Sequence, residues 1–154
     1  MKIQSTIEYQ PIKDAKRIFE KNYKNDDFLK SLEKKIFLCT LSSSKKIIKD
    51  IHDDVSIITL TTQDAAVKVI ASTDKVNKII KFNKSLFVND FNSMDPSAKK
   101  EIIVKTVRTL MHEYIHTLGY NHFDNTSLFY NQSTVPYKVA KLFVAYLKER
   151  NFIE

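Results

Sequence analysis

His112-Glu113-Tyr114-Ile115-His116-Thr117-Leu118-Gly119-Tyr120-Asn121-His122 is the stretch on which the reading of this chain turns. His112 and His116 stand four residues apart, the separation that brings two side chains onto one face of an α-helix. Two imidazoles placed that way can share one metal ion. Glu113 lies about 100° further round the helix, near enough to reach a water on that ion without displacing a ligand. The chain must then leave its helix and turn sharply before a third ligand can return to the same point, and only glycine makes that turn without steric cost. Gly119 is the single glycine in 154 residues, although average usage of roughly 7% would supply about ten. A chain that otherwise does without glycine keeps one here.

Neutral nitrogens from His112, His116 and His122 would leave one position of a tetrahedral ion open to water, the layout of a catalytic zinc site rather than of a closed structural one. Zinc in that position lowers the pKa of water towards ~7. With all five motif positions satisfied together, ordinary polar residues on a helix surface are a poor account of the stretch.

At these residues the chain resembles the metzincin metallopeptidases, whose signature is this long histidine motif followed by a Met-turn. The resemblance implies a zincin-like fold, a catalytic Zn2+ and peptide-bond hydrolysis, with His112, His116 and His122 as metal ligands and Glu113 as catalytic base. It departs from the family downstream: the methionines are Met1, Met94 and Met111, and none follows His122. The nearest substitute, Ser133-Thr134-Val135-Pro136-Tyr137, resembles the Ser-x-Met-x-Tyr turn of astacins and serralysins with valine at the methionine position. It stands much closer to the last histidine than in those families. That likeness implies Val135 as an apolar floor beneath the histidines and Tyr137 as a hydrogen-bond donor to the developing oxyanion. Read from the residues alone, the same stretch is a loop that ends where Pro136 starts a helix.

Length and composition fit one compact domain spanning residues 1–154. A chain of this size buries roughly 68–70% of its unfolded surface and needs no disulfide. Hydrophobic residues at 43% and charged residues at 28% are ordinary for a soluble protein. The amino-terminal residues carry no apolar signal-like run, and nowhere do eighteen apolar residues follow one another. The expectation is a soluble chain without a membrane partner, its compartment unknown but cytoplasmic as the chain stands unless a signal peptide was removed. The lone Cys39 excludes an internal disulfide, and within the apolar run Ile36-Phe37-Leu38 it reads as a small buried hydrophobe. The net charge of +7 raises nucleic acid as a partner, but only Arg17, Arg108 and Arg150 among 25 basic residues are arginine. Phosphate and base recognition favour arginine's planar fork. Scattered lysines read as solvated faces instead, and nothing asks for a second copy, so a monomer is expected.

Along the chain, apolar residues alternate over residues 2–9, and a helix starts at Pro11 with Ile12, Ala15, Ile18 and Phe19 at helical spacing. Asn25-Asp26 is a turn, residues 27–35 a second helix, and 36–40 a strand. A helix over about 45–52, capped from Ser42 to Ser44, ends near His52, which is expected to be exposed. Three strand-like runs follow, at 55–62, 66–73 and 78–83. The run Val69 to Thr73 and the run Ile79 to Asn83 resemble the edge strand and inner strand that precede the active-site helix in matrixins. That likeness would make 69–73 the edge to which an extended substrate adds by backbone pairing; a plain hairpin fits the residues equally. Asp95-Pro96 starts a helix that keeps an apolar stripe to Gly119, about 34 Å long at 1.5 Å per residue. Asp124 lies where it could orient a histidine ligand, and from Pro136 a last helix is expected to pack under the site.

The expected fold class is therefore α+β, a mixed sheet of four to five strands with a long active-site helix and a C-terminal helix. The expected function is a zinc-dependent endopeptidase acting on peptide or protein substrates. Two alternatives stand beside it: a metallopeptidase for proteins held on nucleic acid, and a non-catalytic zinc-stabilised binding protein in which the metal only staples the carboxyl-terminal third to the rest.

Overall fold

A computed structural model of the chain describes residues 1–37, 40–66, 69–87, 90–122 and 134–153. In chain order its regular elements are β1 (Lys2–Ser5), α1 (Gln10–Asn22), α2 (Asp26–Glu33), α3 (Ser44–Asp53), β2 (Ile57–Gln63), β3 (Ala71–Asp74), β4 (Ile79–Asn83), α4 (Pro96–Thr117) and α5 (Val135–Glu149). The class is α+β, with one mixed four-stranded sheet ordered β1-β2-β4-β3. β1 and β4 flank β2 in parallel, with Ile3 opposite Ile58 and Leu60 opposite Ile80. β3 runs antiparallel to β4, with Thr73 opposite Ile80. Side chains alternate between the two faces of a strand, so Ile3, Ile58, Leu60, Ile80 and Phe82 all enter the core from one face. The other long edge of β3 is left unpaired among the described strands.

α4 is the spine. Asp95 caps it, accepting a hydrogen bond from the Ala98 amide at 3.0 Å, and Pro96 occupies the first turn, where its missing N–H costs nothing. Val107, Leu110, Met111, Tyr114 and Ile115 form its buried stripe. α1 packs on it through Ile12, Ala15 and Phe19, and α5 through Val139, Ala140 and Phe143. The three helices meet at a set of edge-to-face rings: Phe19 stands 5.3 Å from Tyr114 and 5.9 Å from Phe143 between centroids, and Phe28 of α2 lies 4.9 Å from Phe143. Such pairs contribute about 0.5–1.5 kcal/mol each beyond the area they bury. They fix the rotation of α4 about its axis and therefore which of its residues face the cleft.

Several expected elements differ in extent. β1 ends at Ser5 rather than near residue 9, because the Ser5 hydroxyl accepts a hydrogen bond from the Ile7 amide and turns the chain away. β3 begins at Ala71 rather than 66. The buried Asn83 amide group donates to the carbonyl oxygens of Ala65, Ala66 and Val69 at 2.8–3.1 Å, so these carbonyls are taken by a side chain rather than by a strand ladder; Val67 and Lys68 lie outside the described residues. The strand expected at 36–40 is not seen among its described residues: Ile36, Phe37 and Thr40 belong to no strand, and Ile36 is 76% exposed. Leu38 and Cys39 lie outside the described residues. The helix expected at 45–52 spans Ser44–Asp53, with Ser43 as its cap, and His52 at its end is exposed as expected.

Candidate metal centre

The last two turns of α4 carry His112, Glu113 and His116. Beyond them the helix closes at Leu118, and Gly119 adopts φ +96°, the left-handed conformation that glycine alone enters cheaply. A Cβ there would meet nothing within 4 Å, so the requirement is one of backbone angle and not of space. Tyr120 then buries its ring and donates its hydroxyl hydrogen to Asp50 Oδ2 of α3 at 2.7 Å, fastening the returning chain to a second helix. From this anchor His122 swings back over the end of α4.

The result is a convergence of three imidazoles. His122 Nε2 lies 3.0 Å from His112 Nε2 and 3.1 Å from His116 Nε2. The outward nitrogens of two rings are held: His116 Nδ1 donates to the Tyr120 carbonyl at 2.7 Å, and His122 Nδ1 lies 3.0 Å from Thr134 Oγ1. With protons on those Nδ1 atoms, the inward Nε2 atoms carry bare lone pairs. Lone pairs that close repel one another, and a cation between them removes the repulsion. Two nitrogens bound to one tetrahedral zinc at 2.0–2.1 Å would be separated by about 3.3 Å, near the spacing observed. The three histidines could thus hold a metal ion, as the sequence spacing predicts. Burial depresses all three imidazoles: His112 to about 3, with further contributions from His116, His122 and Arg108; His116 to about 4; and His122 also below its ordinary value, helped by Lys75. The rings are therefore neutral, the form that binds metal.

Glu113 is 7% exposed. Its Oε2 accepts a hydrogen bond from the Thr73 hydroxyl on β3 at 2.6 Å, which ties the carboxylate to the sheet edge. Burial raises its pKa, and the Thr73 hydrogen bond works against that rise. Tyr137, in the first turn of α5, sets its ring 4.4 Å from that of His112 and 4.8 Å from that of His122. Two residues earlier, Val135 is buried and lines a second hollow that also reaches His122. All five site residues expected from sequence, His112, His116, His122, Glu113 and Tyr137, line one cleft of about 870 Å³ together with β3. Asp124 and Ser133 lie outside the described residues.

The motif reading missed Thr73, Thr134 and the Tyr120 bond to Asp50. Each joins residues distant in sequence, and a threonine carries no local signal that it will face an imidazole or a carboxylate. Comparison of the chain with protein-family models, curated proteins and solved structures returned no match. Among the described residues no helix is long and apolar enough to cross a membrane.

Proposed function

We propose that the chain is a zinc-dependent endopeptidase of zincin-like fold, with His112, His116 and His122 as the zinc ligands. The observation that carries this reading is the meeting of three imidazole Nε2 atoms beside a buried carboxylate that a strand edge holds in place. A closed structural site would be expected to present a fourth protein ligand and would have no use for Glu113. Zinc supplies a Lewis acid that polarises the scissile carbonyl and makes water acidic enough to attack near neutral pH.

The remaining work falls to the chain's own groups. β3 lines the cleft with its outer edge unpaired among the described residues, which suits an extended peptide adding by backbone hydrogen bonds, with its scissile bond near the histidines. Glu113, kept largely from solvent, takes a proton from water and returns it to the leaving nitrogen. The Thr73 hydrogen bond fixes which carboxylate oxygen is engaged and leaves Oε1 for this transfer. Tyr137, its ring beside two of the imidazoles, would donate to the oxyanion.

The test is digestion of a mixed unstructured peptide library by zinc-loaded protein beside the Glu113→Ala variant, with bound zinc measured in both. The expected result is cleavage by the wild type, a loss of about 10²–10⁴-fold in the variant, and one zinc retained per chain. Equal rates would remove Glu113 from the mechanism. Zinc binding with no cleavage by either protein, and unfolding on chelation, would favour the structural-zinc alternative.

A further inference from the structure

The cleft is electrostatically one-sided. Of its described lining residues, Glu113 alone carries a carboxylate, and that group is buried and hydrogen-bonded to Thr73. Against it stand Lys75, Lys105 and Arg108. None of these three forms an ion pair among the described residues, although other cations of the chain do, including Lys46 with Asp50 and Arg150 with Asp27.

Their placement follows the two elements that border the cleft, α4 and β3. Lys105, Arg108 and His112 succeed one another at three- and four-residue steps along one face of α4, with Lys105 and Arg108 exposed. β3 borders the same floor. Ile70, just ahead of it, shares a hollow with Lys105 and Thr109, Thr73 meets Glu113 at its middle, and Lys75 just after it reaches Asn121 beside the histidines. Positive charge therefore stands on both sides of the metal centre: Arg108 lies one helical turn before His112 on α4, and Lys75 meets Asn121, the neighbour of His122.

We propose that this cleft selects acidic peptides, taking aspartate or glutamate side chains on Lys105 and Arg108 on one side of the cut and on Lys75 on the other. The inference rests on the peptidase reading for the meaning of the cut, and on the cleft's own charge for its selectivity. An extended peptide is the polyanion favoured because the cations stand at intervals beside an open strand edge, which pairs with a peptide backbone. A single-stranded nucleic acid would want exposed rings to stack on, and the ring of Tyr137 is engaged with His112 and His122.

The experiment uses three unstructured peptides with one neutral core and acidic, neutral or basic flanks. Each is assayed for cleavage by zinc-loaded wild type and by the double variant Lys105→Glu/Arg108→Glu, and for binding by fluorescence anisotropy to zinc-loaded Glu113→Gln. A neutral double variant, Lys105→Gln/Arg108→Gln, guards against misfolding of the charge-reversed one. The expected outcome is a preference of about tenfold for acidic over basic flanks in both readouts. It should shrink with added salt, fall towards parity in the neutral variant and invert in the charge-reversed one. Equal cleavage of all three peptides would overturn the proposal and leave the peptidase reading intact. Cleavage of none would count against the peptidase reading alone, and binding then decides: acid-selective binding upholds the cleft's selectivity, and indifferent binding ends it. Tighter binding of a mixed-sequence oligonucleotide than of the acidic peptide would also overturn it.

Discussion

Thr73 and Thr134 divide the support of the site between them. Thr73 reaches across from the sheet to the carboxylate of Glu113, and Thr134 reaches from the start of α5 to Nδ1 of His122. Groups that orient a ligand or a base typically change metal affinity or activity by about 10–100-fold when removed. Thr134→Val is therefore expected to weaken zinc binding by about 10–100-fold, measured by competition with a chromophoric chelator. Thr73→Val is expected to leave that affinity unchanged and to lower kcat/KM over a similar range. Reversal of the two effects would mean that the supports have been assigned to the wrong groups. At this scale the sequence discloses the proposed ligands and base but not what holds them. Histidines at four-residue spacing with an adjacent glutamate announce themselves, whereas Thr73 lies forty residues from Glu113 and only the fold of the sheet against α4 brings them together.

Between elements, the turn after α4 decides whether the third histidine arrives. Gly119 supplies the left-handed backbone and Tyr120 the tether to α3. A residue with a Cβ at φ +96° is strained whatever room surrounds it, so Gly119→Ala is expected to cost about 1 kcal/mol or more and to weaken metal binding as well. Tyr120→Phe should cost about 1 kcal/mol for one lost hydrogen bond, with the fold retained. Denaturant melts of the metal-free proteins, paired with zinc titrations, measure both; a Gly119→Ala protein with native stability and native affinity would contradict the role given to the turn. The elements most legible in sequence are those with chemical punctuation at their ends. Asp95-Pro96 and Gly119 bracket α4, and Ser43 marks the start of α3. The apolar residues at 36 and 37 mislead because strand character needs a neighbouring strand, and among the described residues the sheet offers them none. The late start of β3 is equally unreadable, since it depends on Asn83 gathering carbonyl oxygens from a segment more than a dozen residues away.

The whole molecule is held by a core rich in tyrosine as well as phenylalanine, and that sets its response to alkali. Burial, reinforced by Asp54 and Glu20, raises Tyr23 to about 12, and burial likewise raises Tyr114 and Tyr120. A group whose folded pKa exceeds its unfolded value stabilises the fold fully below the unfolded value, about 10 for tyrosine, and loses that contribution as pH climbs through the folded one. Stability is therefore expected to hold up to about pH 10 and to decline above it. Unfolding should be cooperative and should coincide with phenolate absorbance from the buried rings. Smooth titration of every tyrosine near its ordinary value, with the fold intact, would contradict this. Tyrosines do not announce in sequence which of them will be enclosed; Phe19 and Tyr23 close on Tyr114, with Phe143 and Phe28 packed behind Phe19, only after four helices have met.

The rim of β3, unpaired among the described residues, has a second aspect. A row of free amides and carbonyls is a template for any extended chain, including another copy of this one, and open edges are common starting points for aggregation. Here the strand is only four residues long and is followed at once by Lys75, with Lys105 and Arg108 across the floor. Two copies meeting rim to rim would bring like charges together over a very short seam. The same cations that would draw in an acidic chain thus oppose the meeting of two such rims.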